Sequence, residues 1–213
     1  MNQITPINKV EIGITPPLIQ RIDLQIVGTS PLVINRFPAK AQQAMMEKMA
    51  AGSTAKKGKT REAKDFDAVF EGARHRSSEG WDGIHAGAFR NGLISACRLV
   101  GFKMTLAKLS LFIEADGLDV IDGTPLVRII AGEPERTDMH VRNATGVVDI
   151  RTRPMWREWA VNLRIRFDSE QFTASDVANL VARVGAQVGV GEGRADSKSS
   201  AGIGWGHFEV AAQ

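Results

Sequence analysis

Glycine and polar hydrogen-bond donors are concentrated near the end of this 213-residue chain, in the stretch GEGRADSKSSAGIGWGHFEV at residues 191–210. Because glycine lacks a Cβ atom, its backbone amides can approach phosphate oxygens closely. The side chains between the glycines are of types that contact phosphate and sugar. We expect this glycine-rich stretch to hold a phosphate-rich ligand through Arg194, Lys198, Ser199, Gly202 and Gly204. The alternative is that the stretch is only a solvated linker.

The order of elements around these glycines argues against a nucleotide-binding enzyme. A helix-like pattern precedes them and a strand-like pattern follows, whereas the dinucleotide motif and the P-loop place their glycines between a strand and a helix. The chain also lacks the P-loop sequence G-x-x-x-x-G-K-[ST]. A mononucleotide enzyme is therefore disfavoured, and no cofactor is expected.

Arginine is frequent in the segment that precedes the last helix. Between residues 142 and 166 there are six arginines and only two acids, Asp149 and Glu158; the arginines are Arg142, Arg151, Arg153, Arg157, Arg164 and Arg166. Side chains alternate along a strand, so Arg164 and Arg166 share one face. Such a face could follow a sugar-phosphate backbone by neutralising its charge, in one cradle with the glycine-rich stretch. The alternative is an ordinary solvated sheet surface.

A third basic segment, GSTAKKGKTREAKD at residues 52–65, has almost nothing to bury. We interpret it as a flexible basic loop that orders on its ligand. Its expected phosphate contacts are Lys56, Lys57, Lys59 and Arg61.

Catalytic signals are weak by comparison. The four histidines are His75, His85, His140 and His207, and none has the spacing H-x-x-x-H of a metal site. His85, at a turn before a helix, is the best candidate for general acid–base chemistry, although such histidines more often cap or face solvent. Asp138 and Asp149 are candidates for a metal-assisted site, but carboxylates in loops are usually solvated. We therefore predict no catalytic residue and no metal.

Apolar periodicity predicts an α+β domain around these residues. Strands are expected at 18–28, 109–115, 124–132, 159–167 and 205–211, with an irregular hairpin around Gly146. Helices are expected at 39–50, 65–73, 88–101 and 174–187, the last with Thr173 and Asp176 at its start. The single cysteine, Cys97, excludes an internal disulfide and is interpreted as a buried apolar residue. Trp156 and Trp159 are interpreted as core residues, and the alternative is that they are stacking platforms.

Composition is that of an ordinary globular domain. The chain is 43% hydrophobic and 24% charged, with a formal net charge of +3. No run approaches the roughly 20 apolar residues of a membrane span, so we expect a cytoplasmic protein that has no membrane partner. Residues 1–18 are expected to form an N-terminal arm, and residues 19–213 one domain.

Two motifs together resemble the RAMP superfamily. The ending Gly191–Val210 is similar to the carboxy-terminal glycine-rich loop of that family, and GIHAGAFRNGLISACRL (residues 83–99) is similar to an earlier turn–helix motif. The chain departs from the pattern at His85-Ala86-Gly87, where a proline and serines are commoner. The resemblance implies a ferredoxin-like, RNA-recognition-motif fold: an antiparallel sheet with helices on one face, and insertions at about 38–80 and 132–155.

The resemblance to CRISPR effector backbone subunits also implies a function. It implies an oligomer or helical filament that grips single-stranded nucleic acid without reading its sequence, in a CRISPR or phage setting. The turn–helix motif adds Arg90 to the expected contacts. Two alternatives stay open: a phage structural or assembly protein, and a RAMP-type endoribonuclease. The sequence does not choose between DNA and RNA.

Overall fold

The computed structural model describes residues 13–37, 43, 46, 47, 65–142, 146, 148–197 and 202–212. Within these residues the fold is mixed α+β with mainly antiparallel pairing, as predicted. Most of the helix predicted at 39–50, the basic loop up to residue 64, and residues 1–12 of the arm lie outside the described residues.

The described strands form one large and one small sheet. They are β1 (Ile19–Gly28), β2 (Leu32–Val33), β3 (Gly83–His85), β4 (Leu111–Glu114), β5 (Gly117–Leu118), β6 (Pro125–Ala131), β7 (Glu135–Arg142), β8 (Val148–Trp156), β9 (Ala160–Asp168) and β10 (Phe208–Val210). The large sheet has the order β10-β1-β9-β6-β3, and in addition β4 pairs with β9 and β5 with β6. The small sheet has the order β2-β8-β7.

The pairing of β1 with β9 forms the centre of the large sheet. Its register places Leu24 opposite Leu163 and Ile26 opposite Val161, and all four side chains are buried. The polar residues between them point to the other face, because successive side chains of a strand alternate. The predicted apolar alternation of both strands is confirmed.

Helix α1 (Phe66–Gly72) packs against β8 of the small sheet. Helices α2 (Ala86–Leu99), α3 (Met104–Ser110) and α4 (Ala174–Arg183) cover the apolar face of the large sheet, and a π-helical turn (Val184–Val188) follows α4. The core cluster includes Phe89 and Leu93 of α2 and Val177 and Val181 of α4. The predicted start of α4 is confirmed, because Thr173 and Asp176 form a reciprocal capping box.

Two details of the predicted elements are wrong. Leu109 and Ser110 belong to α3, not to the following strand. The hydroxyl of Ser110 donates a hydrogen bond to the carbonyl of Leu106, four residues earlier in the same helix. The helix predicted at 88–101 instead spans Ala86–Leu99, and Val100, which follows it, is 48% exposed.

The hairpin predicted around Gly146 is confirmed and forms the small sheet with β2. Trp156 and Trp159 are each 1% exposed, as expected for core residues. The indole N–H of Trp159 donates a hydrogen bond to the Ser30 carbonyl at 2.8 Å. Cys97 is also fully buried, as predicted.

Candidate nucleic-acid interface

A groove of about 590 Å³ runs beside the exposed side of α2. One wall is the beginning of the glycine-rich stretch, from Gly191 to Asp196, and the other is formed by the segments around β3 and α3. The charged and polar residues that line it are Asn35, His75, His85, Asn91, Ser95, Arg98, Lys108, Arg194 and Asp196. These comprise three permanent cations, two histidines and a single carboxylate, so the groove favours an anionic ligand.

Backbone hydrogen bonds join the glycine-rich stretch to β2 and to Pro31, the residue before it. Gly206 donates its amide hydrogen to the Pro31 carbonyl, and its own carbonyl accepts from Val190. Glu192 donates its amide hydrogen to the Val33 carbonyl at 2.8 Å. Gly206 has φ +72°, and a Cβ atom there would overlap the Val190 backbone. Only glycine at position 206 allows its backbone to lie so close to the backbone of Val190.

Asp196 connects the same stretch to α2. Its carboxylate accepts from the Ser95 hydroxyl at 2.6 Å and from the Arg98 guanidinium at 3.1 Å. The hydrogen bond from Ser95 is the main reason that the pKa of Asp196 is below its usual value. The only carboxylate among the described residues that line the groove is therefore already paired.

Arg194, predicted from the sequence, lines the groove and donates to the Gly191 carbonyl at 2.9 Å. Gly202 lies against the backbone of Arg194, where a Cβ atom would overlap the carbonyl. Gly204 also has a positive φ, but space surrounds its Cα. Of these three predicted residues, Arg194 lines the groove, whereas Gly202 and Gly204 lie outside its lining.

Two histidines meet in this groove. His75 is only 8% exposed, and its Nδ1 lies 2.8 Å from Oδ2 of the buried Asp119. Asp119 also accepts from the Ile121 amide, which holds the carboxylate in place. This contact orients the imidazole ring of His75, so its second nitrogen is presented at a fixed angle.

His85 precedes the first turn of α2, and its ring lies over Gly87. A Cβ atom on Gly87 would overlap this ring, which explains why a glycine stands there. Burial, followed by the nearby His75, lowers the pKa of His85 below its ordinary value, and Asp122 opposes the shift. The folded protein therefore favours the neutral ring of His85 at neutral pH.

Arg151 and Arg153 lie on β8 and reach the glycine-rich stretch. Arg153 Nε lies 2.6 Å from Glu192, and Arg151 lies 3.8 Å from the same carboxylate. The sequence thus correctly associated these two arginines with the stretch. Their charge, however, is shared with Glu192.

Arg164 and Arg166 lie elsewhere, which corrects the expectation of a single cradle. Both project from the face of the large sheet that the helices do not cover, because Leu163, Ile165 and Phe167 occupy the helix-covered face. Arg164 pairs with Asp116 at 2.7 Å, and Arg166 pairs with Glu114 at 3.4 Å. The glycine-rich stretch packs beside α2, on the opposite side of the sheet.

Arg90 supports the fold of α2 and β4. Its guanidinium donates to the carbonyls of Lys108 and Leu111, and it lies 5.1 Å from the centre of the Phe112 ring. These contacts cover the edge of β4.

The positions of the other side chains predicted to contact nucleic acid are not described by the structure. Lys56, Lys57, Lys59, Arg61, Lys198 and Ser199 lie outside the described residues. Arg142 is the last residue of β7, and only its backbone is described.

The sequence reasoning missed Arg98, Lys108 and the partner of His75. Arg98 could have been found from the helical period of α2, which places it away from the buried residues. The pairing of His75 with Asp119 had no such signal, because the two residues are 44 positions apart.

The described residues contain no group of three or more histidine, cysteine, aspartate or glutamate side chains that could hold a metal ion. Asp138 instead accepts from Arg136 and Thr152 within the small sheet. None of the helices in the described ranges is long and apolar enough to cross a membrane.

A second groove, of about 810 Å³, lies between the end of α2 and α4 and is lined largely by apolar side chains such as Val100, Phe102 and Phe172. Its charged lining residues are one cation, Arg183, and one carboxylate, Asp176, so it has no excess of positive charge.

In comparisons with known proteins, no family model matches the chain and no curated protein is significantly similar to it.

Proposed function

We propose that the chain has a ferredoxin-like, RNA-recognition-motif fold of the RAMP type. The support is the order of elements β1–α2–β6–β9–α4–β10 along the chain, combined with the sheet order β10-β1-β9-β6. In this assignment α2 and α4 are the two crossover helices, and the small sheet is an insertion. The two motifs of the sequence then meet in space, because Asp196 of the second contacts Ser95 of the first.

We further propose that the protein binds single-stranded nucleic acid through its sugar-phosphate backbone, in the groove beside α2. The observation that carries this proposal is the lining of the groove, where Arg98, Lys108 and Arg194 converge with the half-buried glycines Gly87 and Gly191. Such groups bind phosphate without distinguishing bases. The affinity is then expected to be similar for different sequences and to fall with salt.

The proposal includes assembly of several copies along one strand, as a helical filament. A single groove of this size holds few nucleotides, so a long strand would be covered by repetition. Light scattering with and without nuclease tests this part. Assembly that requires the strand is expected, whereas an assembly unaffected by nuclease would indicate a structural protein.

The binding test is fluorescence anisotropy with labelled oligothymidine and oligouridine at several salt concentrations. Lys108→Ala removes one groove cation, and it is expected to weaken binding to all sequences and to reduce the slope of log K against log salt by about 1. Arg166→Ala is the matched control, because it removes one cation from the opposite face of the sheet.

Two results would contradict the proposal. Absence of binding at low salt would remove the function itself. An equal loss of strand affinity in Lys108→Ala and Arg166→Ala would show that the strand does not bind in the groove.

A second candidate function, metal-independent cleavage of RNA, is favoured by His75 and His85 lining the same groove. One neutral imidazole would take the proton of the 2′-hydroxyl, whose oxygen attacks the phosphorus, and the other imidazole, protonated, would give a proton to the departing 5′-oxygen. Labelled RNA with chelator present tests it. Products ending in a cyclic phosphate that disappear in His85→Ala would support cleavage, and intact RNA would exclude it.

A further inference from the structure

Three apolar side chains, which we call the apolar turn, are exposed together between β5 and β6. Leu118 is 57%, Val120 62% and Ile121 60% exposed. The backbone here is held in place by Asp119, which is buried: its carboxylate accepts from the Ile121 amide at 2.8 Å, and its carbonyl accepts from the Gly123 amide. Exposed apolar groups that lie together mark surfaces that contact another molecule.

The second groove, beyond the end of α2, is a complementary surface of the same chain. Phe172 and Leu180 are buried beneath it, and Phe102 packs on Phe172 with the ring centres 4.7 Å apart. Val100 lines it and is 48% exposed. Its volume of about 810 Å³ exceeds that of three aliphatic side chains, so it can receive the apolar turn.

The charges beside these two surfaces are opposite in sign. Asp122 is exposed and directly follows the apolar turn, and Arg183 is exposed in the lining of the second groove. Neither side chain forms an ion pair with any residue that the structure describes, and Arg183 only donates a hydrogen bond to Gln187 at 3.3 Å. The carboxylate of the groove, Asp176, is engaged by the capping box of α4. The groove therefore suits an apolar segment that is followed by an acid.

The apolar turn and the second groove lie at opposite ends of α2. The turn lies beside β3, which leads into α2, because Asp119 contacts His75 and the His75 carbonyl accepts from Gly83 of β3. Val100 of the groove, by contrast, directly follows the last residue of α2. A helix of 14 residues is about 20 Å long. A contact between the two surfaces therefore needs two copies of the chain.

We propose that the apolar turn of one copy docks into the second groove of the next copy, with Asp122 opposite Arg183. Such a contact joins two different surfaces, so it repeats from copy to copy and gives a filament unless the rotation closes a ring. The basic groove beside α2 extends from Gly87 to Arg98, between the two contact surfaces, so successive copies present their basic grooves in series. This inference rests on the proposed assembly along a strand, and it names the surfaces through which neighbouring copies meet.

The contact is small, which agrees with assembly that requires the strand. Stable interfaces bury roughly 1,200 Å² or more in total, and three aliphatic side chains with the groove that receives them do not reach this area. Copies that are held on one strand meet at a high effective concentration, at which a weak contact forms. The contact is therefore expected to produce cooperative binding to long strands.

The first experiment tests the contact without nucleic acid, by cross-linking at high protein concentration. Val120→Cys and Asn179→Cys place one cysteine in the apolar turn and one in the lining of the second groove, whereas the natural Cys97 is buried. A short bis-maleimide is expected to join the two variants in a mixture and to leave each variant alone unjoined. A mixture that gives no more cross-linked product than either variant alone would overturn the inference.

The second experiment compares three valine-to-serine variants on strands of two lengths. Val120 belongs to the apolar turn, Val100 lines the second groove, and Val148, which is 53% exposed in the small sheet, is the matched control. Cooperativity is the affinity per copy for a long oligothymidine divided by the affinity for an oligonucleotide that holds one copy. Val120→Ser and Val100→Ser should each lower this ratio about threefold or more, because each removes apolar area from the contact. Val148→Ser should leave the ratio unchanged, and all three variants should bind the short strand like the unmodified chain.

The outcomes separate this inference from the proposed function. The inference is overturned if the unmodified chain binds long strands without cooperativity, if only one of Val120→Ser and Val100→Ser lowers the ratio, or if neither does. An equal loss in Val148→Ser would overturn it as well. Each of these results leaves the proposed function standing, because binding to the short strand does not involve the contact. Absence of strand binding would remove the proposed function instead, and cross-linking of the mixed variants would still decide whether the contact exists.

Discussion

The hydroxyl of Ser95 lies 2.6 Å from the carboxylate of Asp196 and joins two residues that are 101 positions apart. Ser95 belongs to α2, in the first motif of the sequence, and Asp196 belongs to the glycine-rich stretch. Arg98 reaches the same carboxylate from the next turn. The Asp196 side chain thus joins the glycine-rich wall of the groove to α2.

Removal of this contact is expected to loosen the glycine-rich stretch. Ser95→Ala should lower the free energy of unfolding by about 1 kcal/mol, since it deletes one partly buried hydrogen bond to a charged group. It should also speed proteolytic cleavage between residues 191 and 206. Chemical denaturation and limited trypsin digestion measure both effects. Asn91→Ala, which removes another groove side chain of α2, is the control and should leave the cleavage rate unchanged.

Gly206 and Gly204 provide a matched pair of positive-φ positions. Gly204→Ala should cost about 1–2 kcal/mol, the usual penalty for a left-handed conformation. Gly206→Ala should cost about 3 kcal/mol or more, because the new methyl group also overlaps the Val190 backbone. Thermal unfolding of the two variants tests the difference. Equal losses would show that the close approach of the two segments is not needed.

The buried pair of His75 and Asp119 should be important for stability. Asp119→Ala leaves the imidazole without its partner and the Ile121 amide without its acceptor, so a loss of about 3 kcal/mol is expected. Asp119→Asn keeps an acceptor oxygen of similar size and should lose clearly less. Urea denaturation compares the two. A smaller loss for alanine than for asparagine would contradict the geometry.

His85 should make stability depend on pH in a defined window. Its pKa in the folded state is below the ordinary value, mainly through burial, so the unfolded chain binds more protons as the pH falls. The free energy of unfolding should therefore decrease as the pH drops through about 6.5, the value expected for an unfolded histidine. His85→Asn should show a shallower decrease over this range, measured by urea denaturation at each pH. An unchanged slope would contradict the assignment to His85.

Asp196 should act in a lower pH window. Its pKa is below the ordinary value for aspartate, mainly through Ser95, so its contribution is present above the unfolded pKa and lost as the pH falls through the folded one. Asp196→Asn should remove this part of the acid sensitivity and leave the window of His85 unchanged. If both windows changed together, the two groups would be coupled, contrary to this prediction.

Local patterns of the sequence were sufficient for much of the fold. Period-two alternation predicted β1 and β9 because each strand has one buried and one exposed face. Thr173 and Asp176 predicted the start of α4 because a capping box needs only residues three apart. Helix α3 was not predicted, and its last two residues were assigned to a strand, because short apolar runs favour strand and helix almost equally.

Only some residues of the candidate site could be predicted from such local patterns. The type of residue identified Arg194 and the glycines, and alternation showed that Arg164 and Arg166 share a face. Alternation cannot tell which face the helices will cover or which acids will stand opposite, because these depend on pairing between distant strands. The pairing of His75 with Asp119, and the position of His75 in the same groove as His85, were likewise decided by the tertiary structure, since no local spacing connects these residues. The sequence by itself determined which side chains lie on which element. Only packing decided which of them face the same groove.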